Sequence, residues 1–346
     1  MLDKWKKTVY EYMHHRNQLE SGLRVEPLLT TVRDDRYLRK QELRLRRLQA
    51  TQLERNAKPV RTETGLVLRH IDEREPNEAV VVDVELRRHY EYELHGMKHM
   101  EDRREKERLT VIRSGNRWLI TQVESEVPER LSPHSPPSEA IARAEEAERE
   151  PYDTPPNRTM PYLNPRLISG SGFDASFRPI YYNRTKAQEY ANTWWNSANP
   201  SFVSLEVDCT NFVSQCLFAG GAPMNYTGKR ETGWWYQGHS KEREGWSFSW
   251  AVAHSLCMHL TTSRSGLRAD IMEHASQLTI GDVICYDWDG NGRFQHNTFV
   301  TAIDAAGMPL VNAHTVDSKH RYWDYKDSYA WTPNTKYRFC HIHDQF

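Results

Sequence analysis

Asp208-Cys209-Thr210-Asn211-Phe212-Val213-Ser214-Gln215-Cys216-Leu217, running on to Gly220-Gly221 and Pro223, is the stretch whose reading decides this chain. A run of this kind closed by glycines, with proline beyond, has the pattern of a short helix and its stop signals. Cys209 then falls in the first turn. Unpaired backbone N–H groups and the positive end of the helix dipole stabilise a thiolate there, lowering a cysteine pKa from about 8.5 toward neutrality. Cys209, Phe212, Val213 and Cys216 also share one face at helical spacing, which suits two core cysteines as well as a nucleophile. Spacing leaves both readings open, with Cys209 the better placed of the two thiols.

Outward from the helix lie Tyr182-Asn183-Arg184, Ala187, Tyr190-Ala191 and Trp194 on one side. Ala219-Gly220-Gly221, Trp234-Trp235-Tyr236 and Ser249-Trp250 lie on the other. Taken in this order, the segments between residues 180 and 340 resemble the bacterial putative amidase domain family. That family is related to the NlpC-type cell-wall peptidases, whose nucleophile also follows an Asp and precedes a small hydroxyl residue. The resemblance implies a papain-like fold, Cys209 as nucleophile, a histidine base and a third polar residue.

Sixteen histidines make any one of them uninformative alone. A thiolate nucleophile needs an imidazole within hydrogen-bond reach, supplied in papain-like folds from a strand distant in sequence. Leu278 to Tyr286 reads as a turn entering a strand, and His296 to Ile303 as the next strand. In the resembled families the base opens that second strand, which selects His296. Beyond the Ala306-Gly307 turn, Asn312 and His314 lie two apart and would share one side of a strand. Either suits the third position, and the family's His-Thr pair favours His314. The backbone N–H of Cys209 is one natural oxyanion donor. Tyr181, Tyr182 and Tyr190 are candidates for a second. Asp208, Trp234 and Trp235 are the residues expected to meet substrate, the two tryptophans from a loop after the nucleophile helix.

Elsewhere the sequence is organised in two parts. Residues 3 to 56 read as two helices, with Leu43, Leu45, Leu48 and Leu53 set among Arg44, Arg46, Arg47 and Arg55 on an amphipathic surface. From about residue 57 the period becomes two: Val82, Val84, Leu86, Tyr90, Tyr92 and Leu94 alternate with polar residues, as in an antiparallel strand with one wet face. Leu109 to Ile112 and Trp118 to Ile120 flank the hairpin signal Ser114-Gly115-Asn116. Ten of the seventeen prolines fall between 128 and 179, which marks a linker, broken by a short helical stretch at Glu139 to Glu150. The expectation is thus α+β throughout. A smaller domain over 1–127, loosely cystatin-like or NTF2-like, precedes a linker over 128–179 and a papain-like (NlpC-type) cysteine hydrolase domain over 180–346.

Composition excludes some classes. With 46 basic and 47 acidic residues, no global field draws the chain to nucleic acid or an anionic membrane. No apolar run suits a signal peptide or a membrane span, so the sequence as read suggests a cytosolic protein. Five cysteines without a CxxC pair argue against both a disulfide framework and a cysteine-based zinc site. Asp287-Trp288-Asp289-Gly290-Asn291-Gly292 matches half a calcium loop, but the twelfth position is Thr298 and the flanking elements read as strands. No metal and no cofactor are expected. The chemistry expected is hydrolysis of an amide bond in a peptide or muropeptide by Cys209 and His296. Acyl transfer through the same thioester, or a binding module that keeps the fold, are the competing readings. The first domain's protein partner is left open.

Overall fold

The computed structural model describes residues 4–75, 78–125, 129, 179–240 and 243–346. The linker expected over 128–179, with its helix at Glu139 to Glu150, lies outside them apart from Glu129 and Pro179. The architecture is mixed α and β with antiparallel pairing. No helix among the described residues is long and apolar enough to cross a membrane. The chain divides into two compact units, one of Met1–Arg130 with Asp304–Leu310 and Val316–Pro333, the other of Leu131–Ile303 with Val311–Thr315 and Asn334–Phe346. The change of composition near residue 180 gives no sign of this interleaving.

In the first unit two helices, α1 (Lys4–Gly22) and α2 (Asp35–Arg55), precede four strands, β1 (Lys58–Glu75), β2 (Ala79–Leu94), β3 (Met97–Ser114) and β4 (Arg117–Ser125). Asp34 caps α2 by accepting the N–H of Tyr37 at 2.9 Å, and Asn56 closes it in the left-handed region. The β2–β3 hairpin turns at His95-Gly96, both at positive φ, and the β3–β4 hairpin at Gly115, as Ser114-Gly115-Asn116 suggested. Val80, Val82, Val84 and Leu86 meet Trp5, Val9 and Leu19 in one core, so the alternation along β2 does face an apolar interior.

The face that α2 buries shares Leu45 with the leucine surface read in the sequence but leaves out Leu43 and Leu53. Leu43 and Leu53 are exposed, while Tyr37, Gln41, Arg44, Leu45, Thr51 and Gln52 are buried. Arg44 turns inward because buried acceptors await it: its Nη1 lies 2.5 Å from Glu20 Oε1 and its Nε donates to the Asp327 carbonyl at 2.8 Å. Burial pushes the Glu20 carboxyl up, but Arg44 and Arg88 outweigh it and hold the group at about 2. A carboxylate so depressed adds stability above its unfolded pKa of about 4.3, and that contribution is lost as pH falls toward 2. Breaking a buried pair strands the remaining charge. Arg44→Met should therefore lower stability by about 3–5 kcal/mol in urea unfolding followed by circular dichroism, and adding Glu20→Gln should recover part of the loss.

The second unit is built around a buried helix. Its elements are α3 (Arg184–Trp194), α4 (Cys209–Ala219), the hairpin β5 (Tyr236–Ser240) and β6 (Arg243–Trp246), α5 (Phe248–Ala251), α6 (Ala253–Thr262), β7 (Ala269–Met272), β8 (Val283–Asp287), β9 (His296–Ile303) and β12 (Lys336–Ile342). Residues Val311–Ala313 of β10 (Pro309–Ala313) also belong to it, whereas β11 (Asp317–Tyr322) pairs with β3 in the first unit. The sheet runs β10-β9-β8-β12-β7. Every residue of α4 from Cys209 to Leu217 is buried. Gly220 closes the helix against Tyr182: a Cβ there would come within 2.3 Å of the tyrosine ring, so only glycine permits the contact.

Candidate active site

Because α4 is buried on all sides, its polar residues must find partners inside the protein. Trp250 Nε1 donates to Asn211 Oδ1 at 2.8 Å, Trp234 Nε1 to Ser214 Oγ at 3.0 Å, and Tyr190 Oη to Gln215 Oε1 at 2.6 Å. Asn297 Nδ2 donates to Thr210 Oγ1 at 3.1 Å. Trp234, read in the sequence as a substrate contact, has no exposed surface, and Trp235, read likewise, is buried with its indole directed to the carbonyls of Lys229 and Thr232. Tyr190 is bound to Gln215 and Asn199. Tyr182 is buried with its hydroxyl on the Gly281 carbonyl, while Tyr181 is exposed and bridges to Gln345.

Cys209 opens α4 as the sequence suggested, and Asp208 precedes it at the cap position. His296 opens β9, also as read. The next residue along that strand meets Cys209: the backbone N–H of Asn297 faces its sulfur, and the Asn297 side chain joins Thr210 to the Ala253 carbonyl. The His296 ring is buried against Tyr286 and stacks on Trp288 with centroids 5.8 Å apart. Such an aromatic wall limits the ring's rotation.

The helix terminus does not bring Cys209 below the ordinary thiol value, as the sequence led one to expect. Burial pushes the thiol up, and the Asn297 N–H and the hydroxyls of Thr210 and Thr315 offset this only in part. Cys216 is pushed up much further by burial, which marks it as a core thiol.

His314 lies against the start of α4. Nδ1 lies 2.7 Å from Asp208 Oδ2 and Nε2 lies 2.7 Å from the Trp194 carbonyl, while the ring stacks on Phe212 at 4.1 Å. A carbonyl can only accept, so Nε2 is the donor to Trp194. The two contacts help to fix the start of α4. Asp208 Oδ1 also accepts from Asn211 at 2.7 Å and from the Leu205 N–H at 3.2 Å. Asn312, the other candidate third residue, accepts from Thr301 at 2.7 Å and donates to Ala191 and Asn192, tying β9 and β10 to α3.

Thr315 is the residue that sequence reasoning missed. It is β-branched yet sits at φ +90°, a conformation that costs about 1–3 kcal/mol and persists where surrounding contacts impose it. Its buried hydroxyl completes no hydrogen bond, but it lies near enough to the Cys209 sulfur to favour the thiolate. The only signal in the sequence was its position beside His314.

Acidic residues of the half calcium loop are also accounted for. The Asp287 carboxylate accepts the N–H groups of Gly290 at 2.8 Å and Gly292 at 2.7 Å, closing a turn whose glycines both have positive φ. Among the described residues no group of three or more His, Cys, Asp or Glu could hold a metal ion.

Comparison with known proteins agrees with this half of the chain. Residues 181–340 match the family model described as a putative amidase domain, which points to amide-bond hydrolysis in general terms. The uncharacterized protein YhbB of Bacillus subtilis (strain 168) is 50% identical over 171 residues, 49% of this chain and 53% of that relative. The chain thus spans about half the length of the curated relative it matches. A solved structure, the intermembrane space region of chloroplast protein ARC6, aligns with 36% of this chain and 97% of its own at 16% identity and a TM-score of 0.27, too slight a likeness to carry an argument.

The Thr315 hydroxyl can be tested directly. Thr315→Val keeps the branched shape and removes the hydroxyl that favours the thiolate, so the Cys209 pKa should rise further above the ordinary thiol value. The pH dependence of iodoacetamide alkylation at Cys209, followed by peptide mass spectrometry, measures the shift.

Proposed function

We propose that residues 180–346 form a papain-like cysteine amidase or peptidase, related to the NlpC type, with Cys209 as nucleophile and His296 as general base. The reading is carried by one observation: the sulfur at the head of α4 is faced by the Asn297 N–H from the strand that His296 opens and by the Thr315 hydroxyl. Cys209 attacks the amide carbonyl as His296 takes its proton, and the backbone N–H of Cys209 supports the oxyanion. His296 then protonates the departing amine, and water releases the acyl group from sulfur. Peptides of the bacterial cell-wall type are the substrate class, as the sequence resemblance implies.

A raised thiol pKa has a mechanistic consequence. A thiol that is not ionised beforehand must lose its proton to His296 during attack, so the histidine matters in the acylation step itself. Acyl transfer to an amine in place of water stays within the same chemistry. Because Cys209 is only 2% exposed, a binding module that retains the fold is the reading that would replace catalysis.

Muropeptide digestion read by mass spectrometry tests the assignment. Cys209→Ala and His296→Ala should each lower turnover by at least about a hundredfold, and a thiol-directed acyl probe should label wild type at Cys209. Undiminished digestion by Cys209→Ala would sink the catalytic reading, and a new amide product with added amine would identify transfer.

A further inference from the structure

Three of the five cysteines converge away from Cys209. On the antiparallel pair β8–β12, Cys285 lies opposite Arg338 and Cys340 opposite Val283, so the two cysteines are offset by two residues and share a face with Arg338. Helix α6 lays Cys257 over that face. Cys257, Cys285 and Cys340 pack in one buried core cluster, and Arg338 Nη1 lies 3.6 Å from the Cys257 sulfur. We propose that these residues form a peroxide-responsive thiol site, in which Cys257 is oxidised and closes a disulfide to Cys285 or Cys340.

The chemistry follows from the arrangement. The guanidinium lies against one sulfur of the three, so Cys257 is the one placed to carry negative charge. Hydrogen bonds from Cys285 and then Cys340, with the Arg338 charge added, hold its pKa well below the usual thiol range, while the other two thiols are pushed up. Thiolate character selects the cysteine that a peroxide attacks. The Cys257 thiolate takes one peroxide oxygen, the O–O bond breaks, and the departing hydroxide is protonated to water. The neighbouring sulfur of Cys285 or Cys340 then displaces the second oxygen from the Cys257 sulfenic acid as water, forming the S–S bond. Two thiols lose two electrons, and one hydrogen peroxide becomes two waters.

Cys257 itself is buried, while its neighbours Arg338, half-buried with its guanidinium 4.6 Å from the Phe294 ring, and Met258, 38% exposed, reach the surface. The site also adjoins the chemistry described above, because α6 begins at Ala253, whose carbonyl receives the Asn297 side chain.

The test uses the full chain with Cys209→Ala, so that the candidate nucleophile does not react. Brief treatment with hydrogen peroxide should remove two hydrogens from the intact mass, and unreduced peptide maps should join Cys257 to Cys285 or Cys340, reversibly with dithiothreitol. Cys257 should react at least tenfold faster than Cys216, and Cys257→Ser should abolish the link. Full iodoacetamide labelling of all four remaining thiols after peroxide would overturn the proposal. So would a stable oxygen adduct at Cys257, or a Cys285–Cys340 link that persists in Cys257→Ser. The first two readouts stand even if the serine variant does not fold.

Discussion

Complete burial of α4 is the constraint from which the rest of the second unit follows. A short helix enclosed on every side leaves no water for its side chains, so Thr210, Asn211, Ser214 and Gln215 each need an internal partner. The partners come from Asn297, Trp250, Trp234 and Tyr190, which lie on four different segments of chain. Each of these bonds adds only about 1 kcal/mol net, but leaving one unmade inside the core costs about 1–3 kcal/mol. The network therefore specifies the helix's rotation and depth more strongly than it adds to stability. Fixing the helix fixes where the Cys209 sulfur points.

The same constraint explains how much of the site could be read from sequence. Cys209 in the first turn of a helix and His296 at the head of a strand follow from local signals: glycines after the helix, a turn before each strand, and the resemblance that singles out one histidine. The roles of Trp234, Asp208 and His314 do not follow, because each depends on a polar atom more than twenty residues away or on another element altogether. A tryptophan after a nucleophile helix suits a substrate groove as well as it suits a core. What decides is whether the helix has a buried hydroxyl for its indole to reach. Thr315 was invisible for a further reason, since a strained φ leaves no mark in composition or periodicity.

In the first unit the apolar pattern was legible and the charged pattern was not. Alternation along β2 placed Val82, Val84 and Leu86 in the core correctly. On α2 the leucines misled, because the face that turns inward carries Arg44 toward Glu20 and the Asp327 carbonyl. Hydrophobic periodicity assumes that the interior is apolar. Where a unit buries carboxylates, the helix is rotated by its arginines, and exposed leucines such as Leu43 and Leu53 are the consequence.

The two thiol environments of the second unit make a final point about what lowers a cysteine pKa. Cys209 has a helix N-terminus and three nearby donors, yet burial leaves it above the ordinary value. Cys257 lies within a helix, but two S–H donors and an arginine overcome burial and bring it down. At Cys257 the hydrogen bonds of Cys285 and Cys340 count most, and the guanidinium 3.6 Å away adds its charge to them, whereas the donors at Cys209 offset desolvation only in part. Cys209 has no arginine among the groups that shift it, and the Asp208 carboxylate beside it adds to the upward push, so nothing there offsets its burial in full.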